Sequence, residues 1–290
     1  MKTILVPTDF SEQANNALDM AYEMAVIGNA ELIILNVLDM PGGHAYAPGG
    51  ASFNVMGGPA MGGELDNVYL VELHNKTKEK LENIIKEPKY KDIKLSYRLQ
   101  VGNPYHNISE EIVENDVDLV VMGTKGASGM EEMLIGSNTE KVVRLAKCPV
   151  LTVKNKVGVN NVKKIVFASS FTEAEDHVIE ELKKLQKLLS AELHLLKVNT
   201  PNNFETSRKI KQDVKNYIDK YDLQHASVNI CNDVVEEDGI IYFAEEIDAD
   251  LIAMATHGRT GFMHLLSGSI AEDVVNHAQR PVWTCSFKYK

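Results

Sequence analysis

Leu119-Val120-Val121-Met122-Gly123 runs on to Gly126 and then, after nine intervening residues, to Gly136-Ser137, before the stretch closes on Pro149-Val150. Four apolar residues in a row predict a strand covered on both faces, as in a parallel sheet. Glycines after such a strand let backbone N–H groups approach an anion with no Cβ in the way. A helix beginning near Ser137 and carrying Val142, Val143 and Ala146 adds free N–H donors and the positive end of its dipole. Gly123, Gly126 and Gly136 thus read as a phosphate cradle, with the hydroxyls of Ser137 and Thr139 as further donors. The competing reading is of plain turn glycines and a capping serine.

A second copy favours the cradle. Ala255, Gly258 and Gly268-Ser269 repeat the spacing and lead to Pro281-Val282, 132 residues further along. Upstream the repeat offset is 161: Ile4-Leu5-Val6 matches Ile165-Val166-Phe167, Phe10-Ser11-Glu12 matches Phe171-Thr172-Glu173, and Val37 matches Val198. Most of the difference lies in Pro41 to Gly63, a tract with eight glycines together with Tyr46, Phe53, Met56 and Met61. It is either a lid or docking arm at the ligand rim or a tolerated surface insert. The expected domains are 1–154 and 163–290, joined through the short polar stretch Lys154 to Val162.

Within each half short apolar runs alternate with helical patterns. Ala14, Ala17, Leu18, Ala21, Met24 and Ala25 share one helix face behind a Ser11 cap. Thr172 and Glu175 have the spacing of a capping box. Strands are expected at 32–37, 94–99, 119–122 and 150–153. This alternation predicts two tandem Rossmann-like α/β units, each an open parallel sheet with helices on both faces. In such sheets ligands bind beyond the carboxyl ends of strands, where the strand order reverses.

A formal net charge of −11 argues against nucleic acid or an anionic membrane as main partner. No apolar run reaches membrane-spanning length, and Met1-Lys2-Thr3 leads into a strand rather than a signal peptide. Cys148, Cys231 and Cys285 form no CxxC pair and read as buried side chains in a reducing cytoplasm. The GK[ST] ending of a Walker A loop is absent, as is the compact G-x-G-x-x-G fingerprint.

The double G-x2-G-x9-G-[ST] motif, the Val6-Pro7-Thr8-Asp9 opening, Val101-Gly102-Asn103-Pro104, Asp118 to Gly123 and Cys148-Pro149-Val150 together resemble the universal stress protein family, over nearly all of both halves. The resemblance implies five-stranded parallel sheets of order 3-2-1-4-5, with ATP held between the ends of strands one and four. It puts Asp9, with Pro7 and Thr8, at the adenosine. Val37 would offer backbone groups to the adenine edge, and Met122 and Gly123 would line the ribose. Gly126, Gly136, Ser137 and Asn138 would hold phosphates, with Lys125 adding charge. Asp9 can equally be a turn residue before the helix. The implied ligand is ATP, with ADP and AMP as alternatives and Mg2+ as companion ion. The fifth strands would pair the halves as a pseudo-dimer, and a further homodimer is an open alternative.

The second half departs from the pattern. Ser170 stands at the Asp9 position, Ala168 at that of Pro7 and Ala255 at that of Gly123, and the Gly-x-Pro segment has no counterpart. A second, weaker site of Val198, Gly258, Gly268 and Ser269 is expected there. His257 and His264 flank it without the three or four ligands a metal needs. Three functions compete: a cytoplasmic nucleotide-binding stress protein whose occupancy tunes association, a slow ATPase or phosphotransfer enzyme, and a scaffold without ligand. Hydrolysis needs a placed base and a metal-bound phosphate, and the first motif offers no obvious base.

Overall fold

The computed structural model describes residues 1–39, 45–46, 52–53, 63–124, 135–171, 175–256 and 270–286, with backbone alone at 45–46, 52–53 and 63–69. The first half runs β1 (Thr3–Pro7), α1 (Glu12–Gly28), β2 (Glu31–Leu38), a short hairpin of β3 (Ala45–Tyr46) and β4 (Ser52–Phe53), α2 (Gly63–Ile85), β5 (Leu95–Val101), α3 (Pro104–Glu114), β6 (Leu119–Gly123), α4 (Ser137–Leu145) and β7 (Val150–Val153). The second half repeats the plan without the hairpin: β8 (Lys164–Ala168), α5 (Asp176–Leu189), β9 (Glu192–Asn199), α6 (Ser207–Tyr221), β10 (Ala226–Asn232), α7 (Glu236–Glu246), β11 (Leu251–Thr256), α8 (Ile270–His277) and β12 (Val282–Ser286).

Among the described residues ten of these strands form one sheet in the order β10-β9-β8-β11-β12-β7-β6-β1-β2-β5, and β3 and β4 pair separately. In the large sheet pairing is parallel within each half. It turns antiparallel once, where β7 meets β12 with Leu151 opposite Trp283. The apolar runs that predicted strands are buried on both faces: every residue of β6 and β7 is buried. The expected parallel α/β architecture with helices on both sides is what the chain forms.

Each face of the sheet carries one core that crosses both halves. Helices α1, α5 and α6 cover one face with Met20, Met24, Leu182 and Val214, joined across the junction by Leu151 and Trp283. Helices α3, α4, α7 and α8 cover the other with Ile108, Val142, Phe243 and Val274. The stretch joining the halves is less polar in space than in sequence. Val159 and Val162 are buried in the first core, and the Val159 N–H donates to Glu23 Oε2 at 2.6 Å.

One clip recurs in both halves. Asp118 Oδ2 accepts the backbone N–H groups of Lys2 and Thr3, the latter at 3.0 Å. Asp250 Oδ2 accepts those of Lys163 and Lys164 at 2.8 and 2.9 Å. The carboxylate at the start of β6 or β11 thus fixes the entry of the neighbouring first strand. Asp118-Leu119 and Asp250-Leu251 lie 132 residues apart, at the offset of the motif repeat.

Candidate functional site

β1 and β6 are neighbours, yet their crossovers leave on opposite sides: α1 packs on one face and α4 on the other. The crevice between the carboxyl ends of β1 and β6 is therefore a topological switch point. Pro7, Thr8 and Asp9 stand on one lip of it, Met122, Gly123 and Thr124 on the other.

The β1 lip is a tightly bonded turn. Thr8 N–H donates to Leu35 O at 2.8 Å, and the Thr8 Oγ1 accepts the Phe10 N–H at 3.1 Å. Asp9 is exposed, and its Oδ1 accepts the Ser11 N–H at 3.0 Å, so the turn role weighed from sequence is real. Ser11 in turn caps α1, accepting from Ala14 N at 3.2 Å. Phe10 is forced to φ 65°, an unusual conformation for an aromatic residue, costing about 1–3 kcal/mol. Phe171 repeats it at φ 57°, held by Ser169 Oγ at 3.1 Å.

Sequence reasoning passed over Asn36. It is buried in β2, where its Nδ2 donates to Thr8 O at 2.7 Å, while its Oδ1 finds no hydrogen-bond partner among the described residues. The signal was there: one amide side chain inside an apolar run. At the matching position Lys197 Nζ donates to Ser170 O at 3.2 Å. Val37, the next residue, is half-buried and packs on the core under α3 and α4.

The β6 lip is shaped by packing. A Cβ on Gly123 would lie 2.8 Å from both Ala14 N and Gln13 C, so the start of α1 demands a glycine there. Gly123 O accepts the hydroxyl of buried Thr139 at 3.1 Å. That hydroxyl proton is used inside the fold, in place of the anion contact expected of Thr139. Gly136 N–H donates to Thr124 O at 2.9 Å, tying the end of β6 to the start of α4. Gly136 is the N-cap of α4 and brings no side-chain acceptor to the first-turn N–H groups. Ser137 is exposed and Asn138 half-buried beside them. Lys125 and Gly126 lie outside the described residues.

Gly102 has its own reason. At φ 135° it occupies backbone space unfavourable to side chains, and it hands the chain to Asn103, whose side chain caps α3 by accepting from His106 N at 3.1 Å. The second half replaces this device with Val235, which gives α7 no side-chain cap.

The second switch point, between β8 and β11, differs at each lip. Ala255 stands where Gly123 does. Helix α5 begins at Asp176, the counterpart of Asn15, three residues later than α1. The buried carboxylate of Glu175 accepts the hydroxyls of Ser169, at 2.9 Å, and Tyr217, while its capping-box partner Thr172 lies outside the described residues. Burial, then the Glu175 charge, pushes the Tyr217 phenol far above its ordinary range. Val198 is buried. Gly258, Gly268 and Ser269, with His257 and His264, lie outside the described residues, as do Thr172 and most of the glycine-rich insert. Among the described residues no three His, Cys, Asp or Glu side chains converge as a metal site, and no helix is long and apolar enough to cross a membrane.

Fold and site together define a tandem α/β protein with a glycine-capped helix opening on the first of two switch points. The sequence model of the universal stress protein family matches residues 1–154 and again 161–286. The chain belongs to that family. Over 155 residues, 53% of this chain and 96% of the relative, it is 34% identical to universal stress protein MJ0577 of Methanocaldococcus jannaschii. It is 32% identical over a similar span, 97% of the relative, to universal stress protein YxiE of Bacillus subtilis. A universal stress protein from Archaeoglobus fulgidus has the same fold along the whole chain, with TM-score 0.74, 23% identity and coverage of 99% of this chain and 98% of that one.

Proposed function

We propose that the first half binds an adenine nucleotide, ATP above all, and that the second half binds it weakly or not at all. The carrying observation is one junction: Gly136 N–H on Thr124 O joins the switch-point end of β6 to the glycine-capped start of α4. Backbone donors and the positive helix end there suit phosphate. Phosphates are assigned to Gly126, Gly136, Ser137 and Asn138, with Lys125 and Mg2+ balancing their charge. The nucleoside is assigned to Pro7, Thr8, Asp9, Val37, Met122 and Gly123. Exposed Asp9 suits ribose or base hydroxyl and amine donors.

The second site, Val198 with Gly258, Gly268 and Ser269, lacks the carboxylate and carries Ala255 in place of glycine. Its buried Glu175 adds an acidic group near the β8 lip, which favours an anion-poor role. The antiparallel β7–β12 pair supports reading the two halves as an intramolecular dimer. We place the protein in the cytoplasm as a binding module whose occupancy tunes association. Ligand carried through native purification and read by mass spectrometry tests this, followed by incubation with ATP and Mg2+ and chromatography for ADP. Bound, unhydrolysed ATP is the expected result. Turnover that Gly136→Val abolishes would replace the binding module with an enzyme.

A further inference from the structure

We infer that Asn276, on α8 of the second half, is a positioning residue for the phosphate cradle of the first; this rests on the nucleotide reading above. Ile135 is the residue before Gly136, and its backbone N–H donates to Asn276 Oδ1 at 2.7 Å. One peptide further on, Gly136 N–H donates to Thr124 O at 2.9 Å. The start of α4 is thus held from two sides: by β6 of its own half and by a side chain of the other half. The backbone carbonyl of Asn276 also accepts Lys154 Nζ at 2.5 Å, and Lys154 O accepts Asn16 Nδ2 from α1 at 3.0 Å. Asn276 therefore sits on a bonded path from the cradle to the helix that shapes Gly123.

The residue that matches Asn276 cannot return this support. The repeat places Arg144 at the position of Asn276, 132 residues earlier. An arginine side chain has donors and no acceptor, so it cannot receive a backbone N–H from the second half. Its Nε instead lies 3.9 Å from Glu272 Oε1. The half with the degenerate site supplies an acceptor to the half with the intact one, and receives none back from the matching residue. This gives the second half a task that does not require it to bind ligand. Gly136, as cap, has no side chain to anchor the turn itself, so an outside acceptor is what fixes the approach to α4.

The test uses the full chain, with ATP titration by calorimetry and residue-resolved amide hydrogen exchange without nucleotide. In Asn276→Leu and Asn276→Ala we expect faster exchange at Ile135 and Gly136 and about fivefold weaker ATP binding, the loss of one hydrogen bond. Asn276→Asp keeps an acceptor and restores slow exchange at Ile135, which a general packing defect would not. Arg144→Ala leaves ATP affinity within about twofold, as expected of an exposed guanidinium 3.9 Å from its carboxylate that accepts no N–H of the cradle. Unchanged exchange at Ile135 in Asn276→Leu overturns the proposal, and so does faster exchange with undiminished ATP affinity. If the wild-type chain binds no adenine nucleotide, the nucleotide reading fails by itself. Exchange then judges Asn276 alone: acceleration confined to 135–137 supports its positioning of the start of α4, and unchanged exchange there overturns it.

Discussion

A methyl group on Gly123 would sit 2.8 Å from the backbone nitrogen of Ala14. The first motif glycine is therefore demanded by the helix that follows β1, whatever it also does for a ligand. Gly123→Ala forces backbone apart and is expected to cost about 1–3 kcal/mol in urea unfolding. Ala255→Gly, where α5 starts later, is expected to cost about 1 kcal/mol or less through backbone entropy alone. Equal effects at the two positions would contradict this account of the asymmetry.

The paired aspartate clips make a second prediction. Asp118→Ala and Asp250→Ala each strand two backbone N–H groups at the entry of a central strand. Each is expected to lose about 1–3 kcal/mol, measured by chemical denaturation. Loss at only one would mean that the repeat in sequence is not a repeat in energetics.

Asp19 on α1 lies between Lys89, at 3.3 Å, and Lys156 of the joining stretch, at 3.1 Å. Burial pushes its carboxyl up, but the two ammonium groups outweigh that and hold it below the ordinary aspartate range. A depressed folded-state value stabilises the fold above the ordinary range and loses that contribution as pH falls through the folded value. Asp19→Asn is therefore expected to cost at most about 1 kcal/mol at pH 7. The difference from wild type should close as pH drops below about 4. A gap that widens on acidification would refute the pairing.

Cys148, Cys231 and Cys285 are all buried. Burial, with Cys285 nearby, pushes the Cys148 thiol far above its usual range, and burial also raises Cys231. Iodoacetamide at pH 8 is expected to label none of the three in the native chain and all three in denaturant, read by mass spectrometry. Rapid native labelling of Cys148 would contradict its burial just ahead of β7.

The sheet was legible because buried parallel strands write themselves as unbroken apolar runs, and 119–122 and 150–153 could hardly be read otherwise. The Ser11 cap and the helix face from Ala14 to Ala25 were equally local signals. What escaped was tertiary. Nothing in the neighbours of Phe10 or Phe171 announces a positive φ, since the turn is imposed by the strand end and a hydroxyl two residues back. Glu175 is engaged by Ser169 and Tyr217, and Tyr217 lies on another helix, so no local pattern announces that contact. Gly123 was read as a glycine for a ligand, although its closest neighbour is α1. Asn276 was invisible because its partner, Ile135, is on the other half of the chain.

The central claim is one intact nucleotide site per chain, in the first half. Calorimetric titration of the full chain with ATP in the presence of Mg2+ tests it most directly. The account predicts a single high-affinity site, lost in Gly136→Val, where a branched side chain blocks the start of α4. Two equivalent sites, or one site that survives Gly136→Val, would contradict it.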